Sequence, residues 1–464
     1  MDSVINKVVA NDLCVGCGMC AAILPADLEI VTTPLGQYVP TFKSVSQSDW
    51  QAQSLKVCPF ADQASNEDTI GRDLFQPIKG IQHRKECGYY LKTFSGYLTD
   101  DKARMAATSG GIITWIAKHL LLTKQVDAVV CVGASDAEDK LFEYQYIRDV
   151  EALERCKKSR YYPVEVSSVI PQIKASQDRV LFIGLPCYIK ALRLASELDQ
   201  SLKDRIVFTI GLVCGHLKTK KYAAYLARHC GVGENDIVSV DFRHKVEGRS
   251  AHKYAFAVNE RTADGSVEKK IMMDQVFASS WGNNLFMLKA CESCDDIFSE
   301  TADITVGDAW LEEFASDHRG TSVILCRTEA MHSILNEGVH NGELALNDLD
   351  INRVIESQVG ALRQRRTGLS YRLAVTEREG QWRPKKRVEP NIKAGSFLFR
   401  MTQQIRLKTA RLSKEAYADQ ETSGPGLEVF KKRLKYPLLL SKLINVPRHL
   451  PGYCRKAFSI LLGR

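Results

Sequence analysis

Short apolar runs alternate with longer amphipathic stretches from about residue 89 to residue 340. The runs typical of buried strands are Ala128–Gly133, Arg179–Ile183, Arg205–Val213, Asp303–Val306 and Ser322–Cys326. The stretches with the length and polarity of helices are Gly111–Leu122, Ser167–Ala175, Cys187–Leu198 and a segment that begins near Glu329. A hairpin is predicted by an Asp264–Gly265 turn between Tyr254–Asn259 and Val267–Met272. This succession predicts an α/β fold built on a sheet.

The two ends of the chain differ from this middle part. Residues 1–70 carry cysteines and show little periodicity, and residues 361–394 are rich in Arg, Lys and Pro, which predicts a linker. The remaining stretch predicts short amphipathic helices that are broken at Pro425, Pro437, Pro447 and Pro451. We therefore predict a cysteine-bearing module over 1–70, an α/β domain over 85–390 and a basic helical tail over 391–464.

Charge is unevenly distributed along the 464 residues, whose net charge is +8. From Gly395 onward there are 14 Lys and Arg against 4 Asp and Glu, so the preceding residues carry a net −2. Because the part of the chain before Gly395 is so close to neutral, it is not expected to bind nucleic acid. The tail, with its Lys431–Lys435 and Arg455–Leu462 stretches, suits either peripheral contact with an anionic membrane or docking to a partner protein.

The sequence predicts a cytoplasmic protein. Its start has no apolar signal segment, and no run of eighteen apolar residues could span a membrane. In a reducing compartment, the 14 cysteines are expected to be metal ligands or buried thiols rather than disulfides.

A C-x-x-C-x-x-C run near the N-terminus comprises Cys14, Cys17 and Cys20. Three thiolates at this spacing, on a chain that curls at Gly16 and Gly18, can reach three corners of a 4Fe–4S cubane. Four cysteines would also suit tetrahedral zinc, although zinc sites usually combine two close pairs.

The fourth ligand of this cluster is predicted to be Cys58. Bacterial ferredoxins continue the run with a Cys-Pro pair, but here the corresponding residues are Leu24 and Pro25. The next cysteine along the chain is Cys58, and Pro59 follows it. The pattern therefore predicts a ferredoxin-like module with one cluster.

Four further cysteines occupy unusual local settings. Cys187 begins a predicted helix directly after a strand, and Cys214 follows the next strand, so both should emerge at the same sheet edge. Cys291 and Cys294 form a C-x-x-C. These four could ligate a second metal centre, or they could be ordinary buried cysteines. Cys131 and Cys326 are expected to lie in core strands. Four others lack partners at ligand spacing and are expected to be structural: Cys87, Cys156, Cys230 and Cys454.

Six short stretches, in this order along the chain, resemble the family of the coenzyme F-420 hydrogenase/dehydrogenase beta subunit. They are Thr108–Gly111, Lys158–Tyr161, Gly184–Cys187, Gly211–Cys214, Cys291–Cys294 and Ala302–Trp310. The resemblance implies a flavin, usually FAD, beside a 4Fe–4S cluster, and it favours the cluster interpretation of the second cysteine group. It also implies flavin contacts at Ser109, Gly110, Gly111, Lys158, Ser159, Arg160 and Tyr161, with Arg160 standing where the family usually has Lys.

These features together predict an iron–sulfur flavoprotein oxidoreductase with FAD and two 4Fe–4S clusters. A flavin accepts hydride and releases single electrons, so it can join a hydride coenzyme such as deazaflavin F-420 to the clusters. The resemblance further suggests a role in the biosynthesis of surface polysaccharides. Two alternatives stay open: a non-catalytic ferredoxin-like subunit that passes electrons to a partner enzyme, and an interaction protein with structural zinc.

Overall fold

The computed structural model describes residues 2–43, 49–424 and 426–449. Its strands are β1 Leu28–Thr32, β2 Tyr38–Phe42, β3 Gln82–Arg84, β4 Gly88–Tyr90, β5 Lys92–Leu98, β6 Ala128–Ala134, β7 Phe142–Ile147, β8 Val180–Gly184, β9 Ile206–Leu212, β10 Ile237–His244, β11 Ala255–Thr262, β12 Gly265–Met272, β13 Ile304–Asp308, β14 Ser322–Cys326 and β15 Leu344–Asp348.

Its helices, like its strands, are numbered in chain order. They are α1 Met19–Ile23, α2 Trp50–Lys56, α3 Glu67–Phe75, α4 Asp101–Ala106, α5 Ile112–Leu122, α6 Val150–Arg155, α7 Ile170–Ala175, α8 Pro186–Leu198, α9 Gln200–Arg205, α10 Lys221–His229, α11 Glu312–Ala315, α12 Glu329–His340, α13 Ile351–Ser357, α14 Val359–Arg363, α15 Leu369–Arg378, α16 Phe397–Ser423 and α17 Glu428–His449. Wider π-helical turns occupy Val4–Val9 and Gln364–Gly368.

An eight-stranded mixed sheet forms the centre, in the order β15-β5-β14-β13-β9-β8-β6-β7. Strands β6, β8, β9 and β13 run parallel, and the outer strands pair antiparallel. Successive residues of a strand face opposite sides of a sheet. Val129 and Leu181 accordingly pack in the core that contains α5 and α12, whereas Val130 and Phe182 pack in the core that contains α7 and α8. Helices therefore cover both faces, as buried parallel strands require.

The predicted α/β class is confirmed for this sheet, and each predicted strand and helix of the middle part is present. The strand Ser322–Cys326 has the predicted bounds, and the helix α5 begins one residue after the predicted Gly111. The hairpin forms between β11 and β12, whose register places Thr262 opposite Gly265.

The predicted linker over residues 361–394 is wrong. This stretch contains the end of α14, a π-helical turn and α15, and it buries Arg365 and Arg372. Arg387 and Lys386, in the segment that follows α15, also have largely buried side chains. The basic residues have carboxylate and carbonyl partners inside the protein, so a composition typical of a solvated linker here belongs to packed structure.

The tail also differs from the prediction. Instead of short helices it forms two long ones, α16 and α17, and Pro437 and Pro447 lie within α17 rather than ending it. Proline removes a helical hydrogen bond, but burial of Phe430 and Leu434 against the rest of the protein stabilises the continued helix. Pro425, Pro451 and the Arg455–Leu462 stretch lie outside the described residues. Within the described part of the chain, we find no helix with the length and apolar character needed to cross a membrane.

Candidate functional site

The first thiol set comprises Cys14, Cys17, Cys20 and Cys58. The chain curls at Gly16 and Gly18, whose φ angles are 71° and 79°, in the left-handed region that glycine favours. A side chain at Gly18 would also meet the Glu165 carboxylate at 2.7 Å. The curl that the sequence predicts is therefore present in the three-cysteine run.

Electrostatic coupling shows that the four thiols of the first set are neighbours. Burial is the main cause that raises the pKa of Cys20, and the charges of Cys17, Cys14 and Cys58 raise it further. Burial likewise raises the pKa of Cys58, opposed in part by the cations Lys190 and Lys386. Four neighbouring thiols that destabilise one another as thiolates are a donor set suited to a cationic metal centre.

The second thiol set comprises Cys187, Cys214, Cys291 and Cys294. Strands β8 and β9 are adjacent and parallel, with Gly184 opposite Gly211, so Cys187 and Cys214 leave the sheet at the same edge, as predicted. Leu217 donates its backbone N–H to the Cys291 Sγ at 3.2 Å, and the Cys214 N–H bonds to the Ile297 carbonyl at 3.0 Å. These contacts bring the distant C-x-x-C to the sheet edge.

Charges around the second thiol set are complementary to thiolates. Burial raises the pKa of Cys187, and Cys214, Cys294 and Cys291 raise it further. The buried guanidinium of Arg365 donates to the backbone carbonyls of Cys291 and Gly215. A cation fixed in this way stabilises negative charge on the sulfurs.

The described residues contain no group of three His, Cys, Asp or Glu side chains arranged to share a single metal ion. A cubane differs from a single ion because each of its four thiolates binds a different iron atom. Both thiol sets have the ligand number and type that this cluster requires.

The two thiol sets are neighbours, since the charge of Cys17 also contributes to the raised pKa of Cys187. Lys190 pairs with Glu67 at 3.2 Å, and both side chains are buried. Lys386 lies 3.6 Å from Asp295, and its charge acts on the pKa of both Cys58 and Cys294. Buried cations therefore lie close to both sets.

A cavity of about 280 Å³, named the flavin cavity after the sequence prediction, brings six of the seven predicted flavin residues together. Ser109, Gly111 and all four residues of Lys158–Tyr161 line it, together with Cys214. The two segments contact each other directly, because the Ser159 N–H donates to Thr108 Oγ1 at 2.8 Å. Gly110 does not line the cavity; it packs on β5, where an added Cβ would lie 2.5 Å from the Gly96 oxygen.

Two features of this cavity point to a ligand. Lys158 adopts a left-handed backbone with φ of 85°, a strained conformation that occurs often at ligand sites. Arg160 has a buried Nε without a hydrogen-bond partner among the described residues, and burial lowers the pKa of its guanidinium. An anionic group in the cavity would satisfy this donor and stabilise its charge.

Comparison with known proteins identifies the family. One family model, described as the N-terminal part of the coenzyme F-420 hydrogenase/dehydrogenase beta subunit, matches residues 93–171. The model of the C-terminal part of the same subunit matches residues 177–352. The two cover more than half of the chain. The chain belongs to the family of this beta subunit.

Three curated relatives share this family resemblance. A subunit of the F(420)H(2) dehydrogenase of Methanosarcina mazei is 24% identical over 67% of this chain and 81% of its own length. Coenzyme F-420-dependent sulfite reductase of Methanocaldococcus jannaschii is 22% identical over 75% of this chain, which spans half of that protein. The beta subunit of the coenzyme F-420 hydrogenase of Methanococcus voltae is 23% identical over 57% of this chain and 86% of its own length. All three relatives are redox proteins that are named for coenzyme F-420.

A solved structure is also similar to this member of the beta-subunit group. It is a chain of the xenon-derivatised F-420-reducing nickel–iron hydrogenase complex from Methanosarcina barkeri. The TM-score is 0.47 at 19% identity, over 65% of this chain and 97% of the other.

The sequence analysis did not identify several residues of the candidate site in this chain. Arg243 and Lys245 line a small hollow beside the flavin cavity, and Arg243 pairs with Asp308 at 2.6 Å. Burial, together with the neighbouring cations Lys158 and Arg104, lowers the pKa of Lys245 to about 7. Asp308 lies in a stretch that carries the family resemblance, which was the one available signal.

The remaining cysteines of this family member partly follow the prediction. Cys131 and Cys326 lie in β6 and β14, as expected for core residues. Cys87 is fully buried, whereas Cys156 and Cys131 both line the flavin cavity. Cys454 lies outside the described residues.

Proposed function

We propose that this chain is an iron–sulfur flavoprotein oxidoreductase that transfers electrons between a hydride-type coenzyme, FAD and two 4Fe–4S clusters. The observation that carries the proposal is the shared position of Cys214, which belongs to the second thiol set and also lines the flavin cavity. A flavin, when bound, supplies the change from two-electron hydride transfer to one-electron transfer.

This chain's residues supply binding and charge. Arg160 and Lys158 would meet the phosphates or the anionic reduced ring of a flavin in the cavity. Arg243 and Lys245, in the adjoining hollow, would receive the hydride coenzyme, for which the relatives' names suggest coenzyme F-420. The first thiol set, next to the second, would complete a path toward a redox partner, and the M. mazei relative is named as a subunit.

The flavin claim predicts that Arg160→Gln weakens flavin binding by about tenfold or more, because a hydrogen bond to a charged group contributes about 1.5–3 kcal/mol. Flavin fluorescence titration of the anaerobically purified chain measures this. Arg155→Gln is the matched control, since Arg155 is exposed and pairs with Glu151 on the surface. Equal affinity in the two variants would remove Arg160 from the flavin site.

The catalytic claim is tested by mixing the flavin-loaded wild-type chain without oxygen with reduced coenzyme F-420, NADH or NADPH. We expect at least one donor to bleach the flavin absorbance and then the cluster absorbance. If a loaded chain accepted electrons from a reduced ferredoxin but from no hydride donor, the non-catalytic electron-transfer subunit would replace the oxidoreductase.

A further inference from the structure

A second cavity, of about 420 Å³, adjoins the flavin cavity at His216 and Trp281. These two rings stack with centroids 4.3 Å apart, and together with Gly215 they line both cavities. The volume is within the range of small-molecule sites. Most of its other walls come from α14, the π-helical turn after it, α15 and α16, which follow the region that the family models match.

Four arginines line this second cavity: Arg363, Arg365, Arg372 and Arg406. The guanidinium of Arg372 is buried and donates to the Glu292 carbonyl at 2.9 Å, the Gln403 Oε1 at 2.8 Å and the Gln364 carbonyl at 3.0 Å. Arg406 donates to the Asn284 Oδ1 at 2.9 Å, and Arg363 lies over the Phe399 ring at 4.5 Å. The three hydrogen-bond partners of Arg372 are neutral groups, so they orient this cation without neutralising it.

The second thiol set accounts for only one of these charges. The guanidinium of Arg365 donates to the backbone carbonyls of Cys291 and Gly215, so its charge is held against that thiol set. The buried Arg372 is affected differently by its surroundings. Burial lowers its pKa to about 9 despite the nearby Glu292, and the positive charges of Arg365 and Arg406 add to this effect.

One carboxyl group, that of Glu292, also lines the second cavity. Four arginine side chains line the same cavity. Positive charge therefore exceeds the negative charge available there.

Two side chains also present unused polar atoms in this cavity. Gln403 is 1% exposed, and its Nε2 has no hydrogen-bond partner among the described residues. The same holds for the Nε2 of His216, which is 8% exposed. A buried donor without a partner costs free energy, and an oxyanion in the cavity would accept from Gln403 and from the arginines.

We propose that the cavity lined by Arg363, Arg372, Arg406 and Gln403 binds a small organic anion through a phosphate or carboxylate group. Guanidinium groups match the planar geometry of both oxyanions with paired hydrogen bonds. Cys291 also lines the cavity, so the bound molecule lies beside the second thiol set. The site is separate from the flavin cavity, and its occupancy requires no flavin.

The test is calorimetric titration of the anaerobically purified full chain at low ionic strength, where screening is weakest. The probes are inorganic phosphate, glucose 6-phosphate and malonate. We expect a Kd below about 1 mM for at least one of them. Binding of the two phosphates alone assigns a phosphate ligand, and binding of malonate alone assigns a carboxylate.

The key variant is Arg406→Gln, which keeps a donor toward Asn284 but removes the charge. Affinity for the bound probe should fall at least tenfold, because a charge-assisted hydrogen bond is lost. Arg411→Gln is the matched control: it lies on the same helix, is exposed and pairs with Glu415. Its affinity should stay within about twofold of the wild type.

Three results would overturn the proposal. They are the absence of binding by all three probes up to about 10 mM, equal losses in the Arg406 and Arg411 variants, and unchanged affinity in Arg363→Gln. Arg363 is exposed, so its replacement is expected to leave folding intact. If circular dichroism shows that the Arg406 variant does not fold, the affinity of the Arg363 variant decides whether the cavity binds the anion.

Discussion

Replacing both Cys291 and Cys294 by serine is expected to remove about four irons per chain, the content of one cubane. Serine is a poor iron ligand, and the two remaining thiolates, Cys187 and Cys214, cannot hold a cluster by themselves. The loss is selective, because the first thiol set keeps its own four cysteines. Iron and acid-labile sulfide assays, with electron paramagnetic resonance of the reduced protein, measure the effect.

The control for this double variant is Cys230→Ser. Cys230 caps the end of α10 and belongs to neither thiol set. The Cys230→Ser variant should retain the full iron content of the wild-type chain. An unchanged iron content in the Cys291/Cys294 variant would show that these cysteines are ordinary core residues, and loss of zinc instead of iron would favour the structural-zinc alternative.

Replacing Arg387 by methionine is expected to lower the free energy of unfolding by about 3–5 kcal/mol, the cost of breaking a buried ion pair. Its guanidinium lies 2.6 Å from Glu300, 3.2 Å from Asp295 and 3.6 Å from Glu67. All three carboxylates are nearly inaccessible to solvent, so their charges would lose this compensation. The urea midpoint of the variant measures the change.

Arg383→Met is the matched control for this stability prediction. Arg383 lies four residues earlier and pairs with the exposed Glu377, a contact that contributes at most about 1 kcal/mol. Equal midpoints for the two variants would contradict the role of Arg387 as the cation that joins α3 to the segment after Cys294.

Elements with a strong local signal could be predicted from the sequence. The apolar run of β14 and the apolar helix α5 carry their own periodicity, and parallel pairing of β8 with β9 follows from the helix between them. The same argument placed Cys187 and Cys214 at one sheet edge. Spacing alone identified the three-cysteine run of the first thiol set, because its glycines and cysteines lie within a few residues of one another.

The features that the sequence did not predict share one physical cause, which is contact between residues far apart in sequence. Arg387 resembles part of a basic linker until Asp295, 92 residues earlier, is seen beside it. Arg243 has its partner Asp308 65 residues later. Continuation of α17 through Pro437 likewise depends on tertiary packing, which outweighs local propensity.

The measurement that tests the central claim most directly is the amount of iron, sulfide, zinc and flavin per chain after anaerobic purification. The account predicts about eight irons, from two cubanes, together with one FAD and no stoichiometric zinc. About four irons without flavin would leave a single-cluster carrier, and a colourless protein containing zinc would contradict the redox function altogether.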